Sequence, residues 1–143
     1  MPAENGLQFV DTNLLVYAYD LSSGEKNERA KALVKQLWFD RIGCLSIQVL
    51  QEFYVSITRK VLKPLSSEKA SDIVHDLSTW KVYVPDPGDV LKAIKIEQKY
   101  HLSFWDAMII QSASASGCQV IWSEDFNPSQ TYEGLKVQNP LAA

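Results

Sequence analysis

Leu7-Gln8-Phe9-Val10-Asp11-Thr12-Asn13-Leu14-Leu15-Val16-Tyr17-Ala18-Tyr19 decides how the chain is read. Its first four residues are a short apolar run that suits a buried strand, and the run stops at an acid. Thr12-Asn13 then opens a stretch that predicts a helix through Tyr19. A strand that ends on a carboxylate and turns at once into a helix begins an α/β unit.

The alternation continues on both sides of this stretch. Ser22 and Glu25 have capping-box spacing for an amphipathic helix carrying Leu33, Val34, Leu37 and Trp38. Residues 43–47 predict a second strand, 48–62 a helix closed by Pro64, and 66–80 another helix. Residues 82–84 predict a third strand, stopped by Pro85-Asp86-Pro87. Helices over 89–100 and 104–116, the latter ended by Gly117, precede a fourth strand at 119–122 and a short fifth at 135–137. Short strands separated by helices predict an α/β fold with a mostly parallel, four- to five-stranded sheet covered on both faces. No repeat or linker interrupts the pattern, so residues 1–143 read as one domain.

Composition bounds the function. The chain has 14 Lys+Arg against 17 Asp+Glu, a net charge of −3, and is 46% hydrophobic. That balance excludes a disordered chain and a surface that binds nucleic acid by bulk positive charge. The longest apolar run, Leu14 to Tyr19, is too short to span a bilayer, so no membrane role is expected. Met1-Pro2-Ala3-Glu4-Asn5-Gly6 carries an acid and no basic segment, so it does not read as a secretory signal. Cys44 and Cys118 form no C-x-x-C pair and read as buried reduced thiols. Together these features predict a cytoplasmic protein.

In an open parallel sheet, ligands bind beyond the carboxyl ends of the strands. Asp11 and Asp125 occupy such ends, although strand-to-helix turns favour Asp as a cap on their own account. Asp106 fits a capping box with Ser103, yet it shares a helical face with Ile109, Ile110 and Ala113. A carboxylate on an inward face needs a partner, and no cation adjoins it in sequence. Glu52 lies off the apolar stripe of its helix, beside Gln48, Ser56, Arg59 and Lys63. By periodicity alone it reads as part of a solvated face; read functionally, it is an acid heading a polar and basic track. If all four acids meet at one sheet edge, they repel unless protonated or neutralised. All-oxygen donors select Mg²⁺ or Mn²⁺, and such a site favours phosphoryl chemistry.

Competing chemistries lack their residues. His75 and His101 have no partner at zinc-ligand spacing and read as surface residues. There is no glycine-rich phosphate loop and no nucleophile elbow. Asp11-Thr12-Asn13 lacks the second Asp of the D-x-D motif of haloacid dehalogenase-like phosphatases.

Phe9-Val10-Asp11-Thr12-Asn13-Leu14-Leu15-Val16-Tyr17-Ala18 resembles the opening motif of PIN-domain proteins. Gln51-Glu52-Phe53, Leu102-Ser103-Phe104-Trp105-Asp106-Ala107 and Trp122-Ser123-Glu124-Asp125-Phe126 resemble the later motifs in the same order, and 134–140 resembles one branch's ending. The resemblance runs from Phe9 to Pro140 and implies a single PIN domain with a three-layer α/β/α fold. It implies a metal-dependent ribonuclease similar to the VapC toxins of toxin–antitoxin systems, with an antitoxin partner inserted into a groove and a homodimer. Carried over by motif, Asp11, Glu52, Asp106 and Asp125 are the acidic quartet, and Asn13 and Ser123 are supports that orient a carboxylate or a water. Asp125 is chosen over its neighbour Glu124 on the family pattern alone. Asn127-Pro128-Ser129 departs from the turn usual in this branch.

The expected activity is hydrolysis of RNA phosphodiester bonds with Mg²⁺ or Mn²⁺ held by Asp11, Glu52, Asp106 and Asp125. Arg59, Lys60 and Lys63 would grip backbone phosphates, with Lys92, Lys95 and Lys99 as a second track. Trp105 could stack a base, but its apolar neighbourhood favours the core. The alternative is a non-catalytic module of the same fold that binds RNA or protein. Setting the four acids aside leaves 13 acids against 14 bases, a near-neutral surface around a concentrated negative site.

Overall fold

Phe9 and Val10 are completely buried because their strand has a neighbour on each side and helices on both faces. This strand is the centre of a computed structural model that describes residues 6–142. The elements run β1 (Leu7–Val10), α1 (Thr12–Tyr19), α2 (Glu25–Asp40), β2 (Gly43–Ser46), α3 (Ile47–Arg59) and α4 (Ser67–Leu77). They continue with β3 (Lys81–Tyr83), α5 (Pro87–Tyr100), α6 (Phe104–Ala115), β4 (Cys118–Trp122), β5 (Thr131–Tyr132) and β6 (Leu135–Gln138). Of the stretch 1–6, read above as lacking a signal pattern, only Gly6 is among the described residues. No helix among those residues is long and apolar enough to cross a membrane.

The sheet order is β3-β2-β1-β4-β6-β5, all parallel except the β5–β6 pair. Right-handed crossovers put α1 to α4 on one face and α5 and α6 on the other. α1 packs on α2 and α3, and α5 packs on α6. Cys44 and Cys118 are free and buried.

Several boundaries differ from the sequence expectation. Among the described residues there are six strands, not four to five, because Thr131–Tyr132 forms a short antiparallel hairpin with β6. Its two-residue turn, Glu133-Gly134, has both residues at positive φ, the backbone such a turn demands. The Ser22–Glu25 capping box does not form. Asp20 instead accepts the Ser22 N–H in a short 3₁₀ turn, and Gly24 starts α2 with no side-chain cap. α3 ends at Arg59 and α4 at Leu77, each about one turn early.

The true capping box lies at α5, between Asp86 and Asp89. Asp89 is buried and accepts from Tyr83 Oη (2.8 and 2.9 Å), the Asp86 N–H (2.8 Å) and Gln111 Nε2 (2.9 Å). Burial raises its pKa, but these donated bonds outweigh it and leave the carboxyl below its usual range. The network ties β3, α5 and α6 together and so fixes the helix that bears Asp106.

Candidate active site

The chain runs outward from β1 through β2 to β3, then returns to the other side of β1 as β4. The order therefore reverses at β1 and β4, where open parallel sheets place their ligand crevice. The strand ends are fastened there by the Asp11 N–H, which donates to the Trp122 carbonyl (2.9 Å), and by the Ser123 N–H, which donates to the Gln138 carbonyl (2.9 Å). A cleft of about 420 Å³ opens at this edge. Asp11, Glu52, Asp106 and Asp125 all line it.

Each acid arrives on a different element. Asp11 caps α1, and its Oδ1 accepts the Thr12 N–H (2.8 Å) while its Oδ2 accepts the Ser123 hydroxyl (2.8 Å). Asp125 follows β4, with its N–H bonded to Ser123 Oγ (3.0 Å) and its carboxylate accepting from Asn13 Nδ2. Glu52 accepts from Thr12 Oγ1 (2.7 Å) and Gln48 Nε2 (3.2 Å). Asp106 lies in the first turn of α6, where Ser103 Oγ accepts the Asp106 N–H (3.1 Å). The cap thus uses the backbone of Asp106, and its carboxylate faces the cleft.

Asn13 and Ser123 both touch the acids that they are expected to support. Thr12 and Gln48 do so as well, and neither was foreseen. Their signals are positional: Thr12 lies between two flagged residues, and Gln48 precedes Glu52 by one helical turn. The polar side of α3 is the wall of the cleft through Gln48, Gln51, Glu52 and Ser56, so the solvated-face reading of Glu52 is corrected. Lys60 is the one basic residue in the lining among the described residues, whereas Arg59 and Lys63 are exposed outside it. Trp105 is 63% exposed, which overturns the expectation of a core residue. His75 and His101 are exposed on helix surfaces, as expected.

Glu124 is held elsewhere. It accepts from Tyr17 Oη, and Lys26 stands 3.5 Å from its other oxygen. That clamp leaves Asp125 as the acid of this pair that lines the cleft.

The electrostatics are those of an uncompensated negative pocket. Burial pushes Asp11 up to about 7, against the hydrogen bonds from Ser123 and the Thr12 N–H, and Asp125 and Asp106 push it the same way. Asp106 is raised by burial, with Asp125 and Glu52 adding repulsion. Asp125 is raised by burial and by Glu124. None of the four is in an ion pair among the described residues.

A model of the PIN domain matches residues 9–134. The chain belongs to the PIN domain family. The fold is similar to a chain of a toxin–antitoxin complex from Klebsiella pneumoniae, at 19% identity and a TM-score of 0.69 over 95% of this chain and 99% of that one. It is similar to VapC20 of Mycobacterium tuberculosis, described as a sarcin–ricin loop cleaving toxin, at 18% identity and 0.65 over 88% and 97%. It is also similar to a chain of a DNA-bound VapBC complex from Salmonella typhimurium, at 16% identity and 0.67 over 94% and 98%. By sequence, no curated protein matches the chain.

The donor set of this PIN-domain cleft fits a hard divalent cation. Its acidic side chains offer only oxygen ligands, and the pKa values of Asp11, Asp106 and Asp125 are raised first by burial and then by neighbouring carboxylates, a repulsion that a cation would relieve. As the side chains stand, no three acidic, imidazole or thiol groups among the described residues converge closely enough to hold one ion together.

Proposed function

We propose that this PIN-domain chain is a metal-dependent endoribonuclease and the toxin of a toxin–antitoxin pair. The observation that carries the reading is the meeting of Asp11, Glu52, Asp106 and Asp125 in one cleft at the sheet's switch point. Similarity of fold to VapC toxins supports the choice of RNA as substrate and of an antitoxin as partner.

Asp11 and Asp106 would hold the principal Mg²⁺ or Mn²⁺, with Glu52 and Asp125 completing the shell or holding a second ion. A divalent ion would supply positive charge against the scissile phosphate and would ease loss of a proton from the attacking water. The chain's own residues prepare that event. Thr12 and Gln48 fix the Glu52 carboxylate, Ser123 fixes Asp11, and Asn13 fixes Asp125, as supporting groups do at metal sites. Lys60 is placed to bind a backbone phosphate entering the cleft. Val55 and Ile109 give the lining an apolar side that limits water.

The antitoxin has a candidate seat. A groove of about 440 Å³ runs between α1 and α2, lined by Ala18, Tyr19, Leu21, Val34 and Trp38 with Lys31 and Lys35 at its edge. A homodimer would use the exposed apolar residues Val84, Val90, Leu91 and Ile94.

One observation favours the alternative of a non-catalytic RNA- or protein-binding module: the acids share a cleft without converging on a common point. Incubation with structured RNA and Mg²⁺ or Mn²⁺, beside EDTA and Asp106→Asn controls, separates the two. The nuclease reading expects cleavage that both controls abolish. Cleavage that survives both would refute the carboxylate–metal mechanism, and a wild type that cuts no RNA would favour the module.

A further inference from the structure

Trp105 is a large aromatic side chain left exposed at the start of an otherwise buried helix. Its indole is 63% accessible at the start of α6, while Ala107 to Ala113 behind it are buried. The ring is not a loose surface group. Phe104 packs edge-on against it at 5.1 Å and 78°. Its carbonyl accepts a hydrogen bond from Gln48 Nε2 (3.2 Å), and the same nitrogen donates to Glu52 (3.2 Å). The next residue, Asp106, lines the acidic cleft. Trp105 is therefore held by its backbone to Gln48, a residue of the cleft wall, and adjoins Asp106, with its exposed side chain outside the lining itself.

The surroundings distinguish what such a face would bind. An apolar protein anchor calls for apolar neighbours, but the cleft beside Trp105 is lined mainly by Asp, Glu, Gln, Asn, Thr and Ser. A nucleobase suits it better, since a base needs only a π-face to stack on while its phosphate occupies polar ground. Bases in an A-form duplex are stacked on each other and cannot offer that face, whereas unpaired bases can be splayed onto an aromatic side chain.

We propose that Trp105 is a substrate-specificity residue. Its indole stacks one unpaired base that flanks the scissile phosphate. This inference rests on the nuclease reading and deepens it.

The test is a cycle between protein and RNA. A random-sequence oligoribonucleotide pool in Mn²⁺ supplies a single-stranded sequence that the wild type cuts. That sequence is remade with one abasic site at each position around the cut, and kcat/KM is measured for wild type, Trp105→Ala and Trp105→Phe. Circular dichroism confirms that each variant is folded. One abasic position should lower the wild-type value by roughly 5- to 100-fold. Trp105→Ala should lose a similar factor on intact RNA and nothing more at that position. Trp105→Phe should stay within a few-fold of wild type, and pairing the sequence into a duplex should suppress cleavage. If Trp105→Ala cuts intact RNA at the wild-type rate, or shows the same abasic penalties as wild type, the stacking role is wrong while the nuclease reading stands. If the wild type cuts nothing in the pool, the nuclease reading fails and this inference fails with it.

Discussion

Ser123 donates its hydroxyl to Asp11 Oδ2 at 2.8 Å, and both side chains are buried. Ser123 Oγ also accepts the Asp125 N–H at 3.0 Å, so one hydroxyl fixes two of the four cleft acids. Ser123→Ala leaves a buried carboxylate short of a donor, at a cost of about 1–3 kcal/mol. Asp11 should then titrate higher than in wild type, because a bond that lowers its pKa is lost. Thermal unfolding in EDTA and an NMR titration of the Asp11 carboxyl measure the two effects.

Asp11 also makes stability depend on pH. It titrates at about 7 in the folded chain and near about 3.9 in an unfolded one. Between those values the folded state binds more protons, so this contribution to stability falls as pH rises. It is fully present below about pH 4 and is lost as pH passes through about 7. Asp11→Asn mimics the protonated acid at every pH. In EDTA its Tm should match wild type at the acid end of that window and exceed it by several degrees at the alkaline end. Mg²⁺ should narrow the gap by stabilising the wild type alone.

The clamp on Glu124 by Tyr17 and Lys26 assigns different work to two adjacent acids. Asp125→Asn should lower RNA cleavage by at least about 100-fold, more than the roughly 10- to 100-fold typical of a supporting residue. Glu124→Gln keeps an acceptor for Tyr17 and should stay within about 10-fold of wild type, the mild end of that range. Cleavage rates under matched Mn²⁺ concentrations check the pair.

Gly43 is needed for space. A Cβ there would meet the Trp80 ring carbons at 2.4 to 2.7 Å. Gly43→Ala should therefore destabilise the fold by about 1–3 kcal/mol, the usual range for overpacking. Urea unfolding should show a lower midpoint with an unchanged slope.

The central strand, the main alternation of elements, Asp11 and Asp106 were legible because each follows from a local pattern. Phe9-Val10 is apolar on both sides, and Asp11 ends it. The two-residue strand Thr131–Tyr132 was not legible, since it exists only through pairing with Leu135–Gln138 across the Glu133-Gly134 turn. Helix starts were displaced where Asp20 and Asp86 took cap roles that neighbouring residues also fit. Trp105 misled because its sequence neighbours are apolar, yet the first turn of α6 stands proud of the buried part of that helix. Glu52 could not be decided from periodicity: a polar helix face looks the same whether it borders solvent or a cleft. Resemblance to the family placed it, and Thr12 and Gln48 show how it is held.

In the nuclease reading the four carboxylates together hold the divalent cation. A Mn²⁺ titration followed by electron paramagnetic resonance tests this on wild type, Asp11→Asn, Glu52→Gln, Asp106→Asn and Asp125→Asn. The wild type should bind Mn²⁺, and every variant should bind it more weakly, Asp11→Asn and Asp106→Asn most of all. Binding that is absent from the wild type, or equally strong in Asp106→Asn, would contradict that reading.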